Sequence, residues 1–333
     1  MTVEAWPAEG AAVLPASVAA ALASEAWATR IPGSDVVALP VADGGPRTAD
    51  AVEGPMRVVG QALAVECSAG TLLAPLDGAR WNPHRLASAL YGIAREVPDG
   101  ASPPTVIVPL GDTDPAGDAV DVWGPSLAAA RDALSRLTVI ALVGSSRPLL
   151  GFHGMAAATM AGRGSDRALA AAAQEQERRW AEIALEGDAA GGRGSVVGTG
   201  SLGGAARISD EPGSGAAGGL AYCLAVAGAR LAPGAMFAAS LAGLDTIPPP
   251  PDLVLAVCRD LTPRGLDHGS VVPASTAAAR FGVPCVAIAP EVRVGKRDLM
   301  AAGLAAAYPA GAGAEALADR VRRVAHTWTP RAS

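Results

Sequence analysis

The residues of this chain best suited to chemistry form a short turn, Ala42-Asp43-Gly44-Gly45, directly after the apolar run that ends at Val41. Glycines let backbone N–H groups approach a phosphate or carboxylate closely. A carboxylate beside them can bind Mg²⁺ through water or accept a hydroxyl proton. The same residues also read as an ordinary Asp-Gly turn. Position favours attention to it, because in open parallel sheets ligands sit beyond the carboxyl ends of the strands.

Other chemistries find less support. Two stretches match G-x-G-x-x-G, at Gly198–Gly203 and Gly213–Gly218, but a chain with 40 glycines produces such matches by chance. Neither has the preceding core strand that a dinucleotide site needs, and the second lacks the later acid for a ribose. The second reads instead as a helix start whose N–H groups are offered to an anion or are merely closely packed. A P-loop is excluded, since Gly295-Lys296 is followed by Arg297. His84, His153, His268 and His326 are isolated, and the four cysteines, Cys67, Cys223, Cys258 and Cys285, lie far apart in apolar stretches. Small core residues is the expected role of those thiols.

The elements that would position the turn follow α/β grammar. Pro15 to Arg30 is Ala-rich and helical, and Asp35 to Val41 reads as a buried strand. The last quarter repeats the alternation: strand 252–257, helix near 273–281, strand 284–289, a short helix near 295–301, a weak strand near 304–308 and a closing helix 314–327. Such alternation implies a parallel sheet covered on both faces. In the middle, strands 105–110 and 138–143 flank a helix near 125–136, and Ser165-Asp166 caps a helix to about 185. Residues 188–204 read as a low-complexity loop, and Pro248 to Pro251 as a stiff connector at a domain border.

A chain of 333 residues, 50% hydrophobic, has room for two domains. Net charge of -6 and the absence of a basic stripe argue against nucleic acid as a partner. The only lysine is Lys296. The stretch 215–244 has about the length of a membrane span, but its apolar character comes from Ala and Gly, and Pro233-Gly234 interrupts it. Two buried helices joined by a turn are expected there, with no membrane partner. MTVEAWPAEG does not read as a signal peptide, so a cytoplasmic location is expected.

Taken together, the motifs resemble the two-domain glycerate kinases that carry an A-D-G-G turn. Leu39-Pro40-Val41-Ala42-Asp43-Gly44-Gly45, with Thr48, is similar to that family's P-x-A-D-G-G-E-G-T. Pro148-Leu149-Leu150-Gly151 with Gly154-Met155-Ala156-Ala157 resembles N-P-L-L-G-x-x-G-A-A. The run from Pro212 to Leu220, continuing to Leu231-Ala232-Pro233-Gly234, is similar to P-G-A-G-A-A-G-G-L and the R-P-G turn that follows. Asp252 to Leu255, then Gly282 to Pro284 and Val286 to Ala289, resembles the strand–helix–strand around T-G-E-G-R-x-D. The blocks span residues 39–289 in order.

This resemblance implies a flavodoxin-like three-layer α/β domain built from both chain ends, 1–55 plus 246–333, with a second α/β domain, 56–245, inserted. It also implies transfer of the ATP γ-phosphoryl group, with Mg²⁺, to a hydroxyl of D-glycerate or a similar small hydroxy acid in an interdomain cleft. Asp43 would then serve as hydroxyl or Mg²⁺ partner, and Gly44, Gly45, Arg47, Thr48 and Ser270 would bind substrate. Gly213, Ser214, Gly215 and Gly218 would bind phosphate, and Arg264 with Asp267 would take the signature's catalytic places. The partner expected is a small hydroxy acid, and a homo-oligomer is left open.

Several positions depart from the pattern. The opening D-S-F-K-G-S should fall near Trp6 to Leu14, where there is no lysine and no aspartate. Pro46-Arg47 replaces Glu-Gly after the turn, Gly144 and Arg147 replace an Asp and an Asn, and G-G-S-A-T-N-D-G-G is eroded to Gly111–Asp118. For T-G-E-G-R-x-D, an ungapped alignment puts Cys258 and Asp260 in the Glu and Arg places, and a shifted one uses Arg264, Asp267 and Ser270. Phosphoryl transfer depends on positioning and on neutralising charge, so these losses matter. Arg47, Arg147, Arg259 and Arg264 are candidate replacements as phosphate clamps. A second reading therefore stands beside the first: a catalytically impaired homologue that survives as a ligand-binding or interaction protein.

Overall fold

The computed structural model describes residues 1–8, 12–77, 80–160, 166–191, 207–247 and 250–329. Contacts divide the chain into two compact units: Met1–Asp43, Asp50–Val52 and Gly234–Ser333 in one, Gly44–Ala49 and Glu53–Pro233 in the other. The sequence reading placed its borders at 55/56 and 245/246. The stretch from Gly234 joins the first unit because Ala239, on the helix Gly234–Leu241, packs with Val41, Leu244 and Ala277.

The first unit holds five parallel strands, in spatial order Leu39–Pro40, Thr2–Val3, Val254–Val257, Cys285–Ala289 and Ala306–Pro309. Numbered along the chain this is 2-1-3-4-5, the flavodoxin-like order. Val3, Leu255, Val257, Val286 and Ile288 pack with residues of helices Ala16–Arg30 and Ala314–Trp328 on one face. On the other, Val254, Ala256, Cys285 and Ala287 pack with helix Val271–Phe281. Burial on both faces is why the strands near 254 and 285 read as unbroken apolar runs.

The strand Thr2–Val3, second from the edge, was not expected from sequence, because two residues carry no periodicity. It is fixed by its neighbours: Glu4 N donates to Val257 O at 2.9 Å, and Leu39 N and Val41 N donate to Met1 O and Val3 O, each at 2.8 Å. The strand expected over Asp35 to Val41 shortens to Leu39–Pro40. Pro40 is tolerated because it stands on an edge strand.

The second unit is a six-stranded sheet in the order Arg230–Pro233, Thr138–Val143, Thr105–Gly111, Gly70–Pro75, Ala62–Cys67 and Met56–Val59. The first four run parallel, and the last three form an antiparallel meander. Arg230–Pro233 corrects the expectation of two helices joined by a turn over 215–244: a strand separates helix Leu220–Val226 from helix Gly234–Leu241. No helix among the described residues is long and apolar enough to cross a membrane. Asp166 caps the helix Arg167–Gly191, its carboxylate accepting from Ala168 N and Leu169 N at 3.0 and 3.1 Å. Ser165 of the expected cap, the first G-x-G-x-x-G run, most of the loop 188–204, and Pro248 and Pro249 of the connector lie outside the described residues.

Candidate functional site

In the first unit, the carboxyl ends of strands Thr2–Val3 and Val254–Val257 deliver Glu4 and Arg259, and the edge strand leads into Asp43. Glu4 is 9% exposed. Its carboxylate accepts from Arg259 N at 2.7 Å and from Ser270 N at 3.2 Å, so it ties the end of strand Val254–Val257 to the start of helix Val271–Phe281. Burial first, and then the nearby Asp43 charge, push the Glu4 carboxyl above its ordinary value, while the Arg259 N–H, the Arg259 charge and Ser270 oppose that shift. The Arg259 guanidinium in turn stands 3.6 Å from the Asp43 carboxylate, with both side chains about half exposed, at 51% and 46%. A carboxylate and a guanidinium are thus presented to solvent on a buried carboxylate base.

Of the residues expected from sequence, Asp43 and Ser270 belong to this group, Ser270 through its backbone. Its hydroxyl points instead to Cys258 Sγ at 3.6 Å. Asp260 accepts from Thr262 Oγ1 at 3.1 Å, and Thr262 caps the short helix Pro263–His268. Asp267 is exposed on that helix, and the side chain of Arg264 lies outside the described residues. Glu4 is the member that sequence reasoning missed. The one available signal was an acid placed immediately after the apolar start of the chain.

In the second unit, the carboxyl ends of its parallel strands converge through glycines. Gly111 N donates to Gly44 O at 3.0 Å, and Gly144 N donates to Gly111 O at 2.8 Å. Gly111 has φ of +58°, and a Cβ there would lie 2.7 Å from Gly45 Cα, so only glycine fits. Thr48 is buried and closes the turn, its hydroxyl and N–H both donating to Gly45 O at 2.7 and 2.9 Å. Arg47 is exposed.

Beside these glycines, Arg147 forms an ion pair with Asp112, the side chains being 21% and 10% exposed. The Arg147 carbonyl accepts from Gly213 N at 3.1 Å and Gly215 N at 3.0 Å, and Ser214 N donates to Glu211 O at 3.0 Å. Ser214 Oγ accepts from Leu149 N at 2.8 Å and donates to Ser209 O at 3.0 Å. The N–H groups of Gly213, Ser214 and Gly215 are therefore already committed within the unit, which is the packing role rather than the anion-binding one. Gly218, with φ of +60°, keeps a partly exposed backbone near Asp114.

Cys223, Cys258 and Cys285 fit the core role, whereas Cys67 is half-buried. Burial pushes Cys223 and Cys258 well up, and Cys285 up to about 12, so none of the three is a ready thiolate. His84 pairs with Asp121 at 3.1 Å on the surface, and His326 bonds Arg30 at 2.6 Å. No group of three or more His, Cys, Asp and Glu that could hold a metal ion occurs among the described residues.

A sequence model of the glycerate kinase family matches residues 120–332, well over half of the chain. The chain belongs to the glycerate kinase family. No curated protein matches it. Among solved structures it resembles one named "putative glycerate kinase 2 from Salmonella typhimurium LT2", at TM-score 0.55 and 16% identity, covering 98% of this chain and 97% of that one. At that identity the likeness speaks for the fold alone.

Family membership gives the departures a physical reading. Two of the positions read from sequence as departures meet in space: Asp112, from the block Gly111–Asp118, and Arg147 pair with each other. Arg259 has the opposite character, since its guanidinium lies at the surface beside Asp43.

Proposed function

We propose that this glycerate kinase family member transfers the γ-phosphoryl group of ATP to a hydroxyl of D-glycerate or a similar small hydroxy acid. The observation that carries the reading is the half-exposed Asp43–Arg259 pair at the carboxyl ends of the flavodoxin-like sheet, held by buried Glu4. Asp43 accepts the hydroxyl proton as that oxygen bonds the γ-phosphorus. The bond from the phosphorus to the β–γ bridging oxygen breaks, and ADP leaves. Arg259 binds the acceptor's carboxylate or the transferring phosphoryl group, for which a guanidinium fork is suited. The helix that carries Arg264 and Asp267 supplies further groups around the acceptor.

Mg²⁺ fits this donor set. It prefers oxygen ligands, keeps several waters and is held by one or two carboxylates together with substrate phosphates, so a half-exposed Asp43 suffices where no cluster of three ligating side chains occurs among the described residues. When bound, the ion neutralises charge on the phosphates. Gly44 and Gly45, next to Asp43 in the chain, offer close backbone approach.

The direct test is ADP release from purified protein with MgATP and D-glycerate. Glycerate-dependent turnover, lowered by about hundredfold or more in Asp43→Asn, is expected from the loss of a general base. The second reading, a homologue that binds but does not transfer, is favoured by the single lysine, which sits on the short helix Lys296–Ala301, and by the engagement of Arg147 with Asp112. Calorimetric binding of MgATP with no glycerate-dependent ADP release would establish that reading instead.

A further inference from the structure

The segment 259–270 leads from strand Val254–Val257 to helix Val271–Phe281, and both of its ends meet on one side chain. Glu4 Oε2 accepts from Arg259 N at 2.7 Å, and Glu4 Oε1 accepts from Ser270 N at 3.2 Å. Between those ends the backbone is held as well. Gly265 N donates to Thr262 Oγ1 at 3.1 Å, and Arg293 N donates to Leu261 O at 2.9 Å.

A carboxylate suits the two-ended task, because each of its oxygens accepts, whereas glutamine would set an NH₂ donor against one of the two N–H groups. Burying an acid at 9% exposure is costly. The two bonds to the segment are what offset that cost.

The consequence reaches solvent through Arg259. Its backbone is anchored from behind, and its half-exposed guanidinium stands 3.6 Å from the Asp43 carboxylate. An ion pair screened by water holds its partners weakly, so the backbone anchor sets where the guanidinium starts. A small hydroxy acid carries a hydroxyl on the carbon next to its carboxylate or one carbon further. A carboxylate base and a guanidinium side by side match those two groups of one acceptor.

We propose that Glu4 is a positioning residue for the acceptor: by clasping both ends of segment 259–270 it holds the Arg259 guanidinium where it takes the acceptor's carboxylate, while Asp43 takes the hydroxyl. This rests on the acceptor being a small hydroxy acid, and adds that its affinity is set from behind the site.

Steady-state kinetics of the full chain, with D-glycerate and MgATP varied separately, test it together with amide hydrogen exchange. In Glu4→Gln, KM for glycerate should rise about tenfold, the size of one lost hydrogen bond to a charged group, while KM for MgATP stays in place. Exchange should quicken over 259–270 but not over Val254–Val257. In an Arg259→Ala background, Glu4→Gln should add no further rise. Glu4→Asp, which keeps the charge on a shorter side chain, carries the same measurements if Glu4→Gln does not fold. An unchanged KM for glycerate, an equal rise for both substrates, or a full further rise in the Arg259→Ala background would overturn the proposal and leave the kinase reading standing. Wild type without glycerate-dependent turnover would overturn the kinase reading instead. Calorimetric binding of D-glycerate then decides for Glu4: binding weakened in Glu4→Gln supports the clasp, and no binding to wild type, or equal binding, overturns it.

Discussion

Each unit of this protein ends its parallel strands in an Arg–Asp pair, and the two pairs are put to opposite uses. Arg259 and Asp43 stand 3.6 Å apart with about half of each side chain in solvent. Arg147 and Asp112 are in contact, 21% and 10% exposed, and the Arg147 carbonyl also gathers two N–H groups of the Gly213 loop. Water screens the first pair, so it stabilises the fold little and remains available to a ligand. The second lies where breaking the pair would strand a charge in low dielectric. The same residue types therefore serve recognition in one place and architecture in the other, and burial decides which.

That contrast can be broken experimentally. The largest effect expected is on turnover: Asp43→Asn lowers glycerate-dependent kcat by about hundredfold or more while the urea midpoint stays close to wild type. Next comes Asp112→Ala, which should remove about 2 kcal/mol of stability in urea unfolding by leaving the partly buried Arg147 charge without this partner. An Asp112→Ala protein as stable as wild type would erase the distinction between the pairs. Gly111→Ala, forced into positive φ against Gly45, should destabilise by about 2 kcal/mol.

The smallest effect concerns Glu4 and pH. Its raised carboxyl means that the folded state binds the proton more tightly than the unfolded one. Its contribution is therefore fully present below the ordinary carboxylate value and is lost as pH rises through the raised one. In Glu4→Gln that fall should be absent from the pH profile of unfolding free energy. Identical profiles would show that Glu4 is not the group responsible.

The last quarter of the fold was legible because Val254–Val257 and Cys285–Ala289 are unbroken apolar runs separated by helices with clear ends. Thr2–Val3 was not, since a two-residue strand is specified by the neighbours it pairs with rather than by its own pattern. Glu4 was hidden for the same reason: sheet order, not sequence spacing, sets it against Arg259 and Ser270. Asp43 and its glycines were legible as a motif. The glycine block at Gly213 was legible too, but not its N–H accounting, which depends on the carbonyl of Arg147 far earlier in the chain. Nor does sequence pair Asp112 with Arg147, although each stands at a position read from sequence as a departure.

The central claim is that the half-exposed pair works on a ligand while the partly buried pair holds the fold. Glycerate-dependent ADP release, measured for wild type and Asp43→Asn alongside their unfolding midpoints, tests it most directly. The account predicts turnover in the wild type, its loss by about hundredfold or more in the variant, and closely similar midpoints. Turnover equal in the two proteins, or a variant that loses activity only because it unfolds, would contradict it.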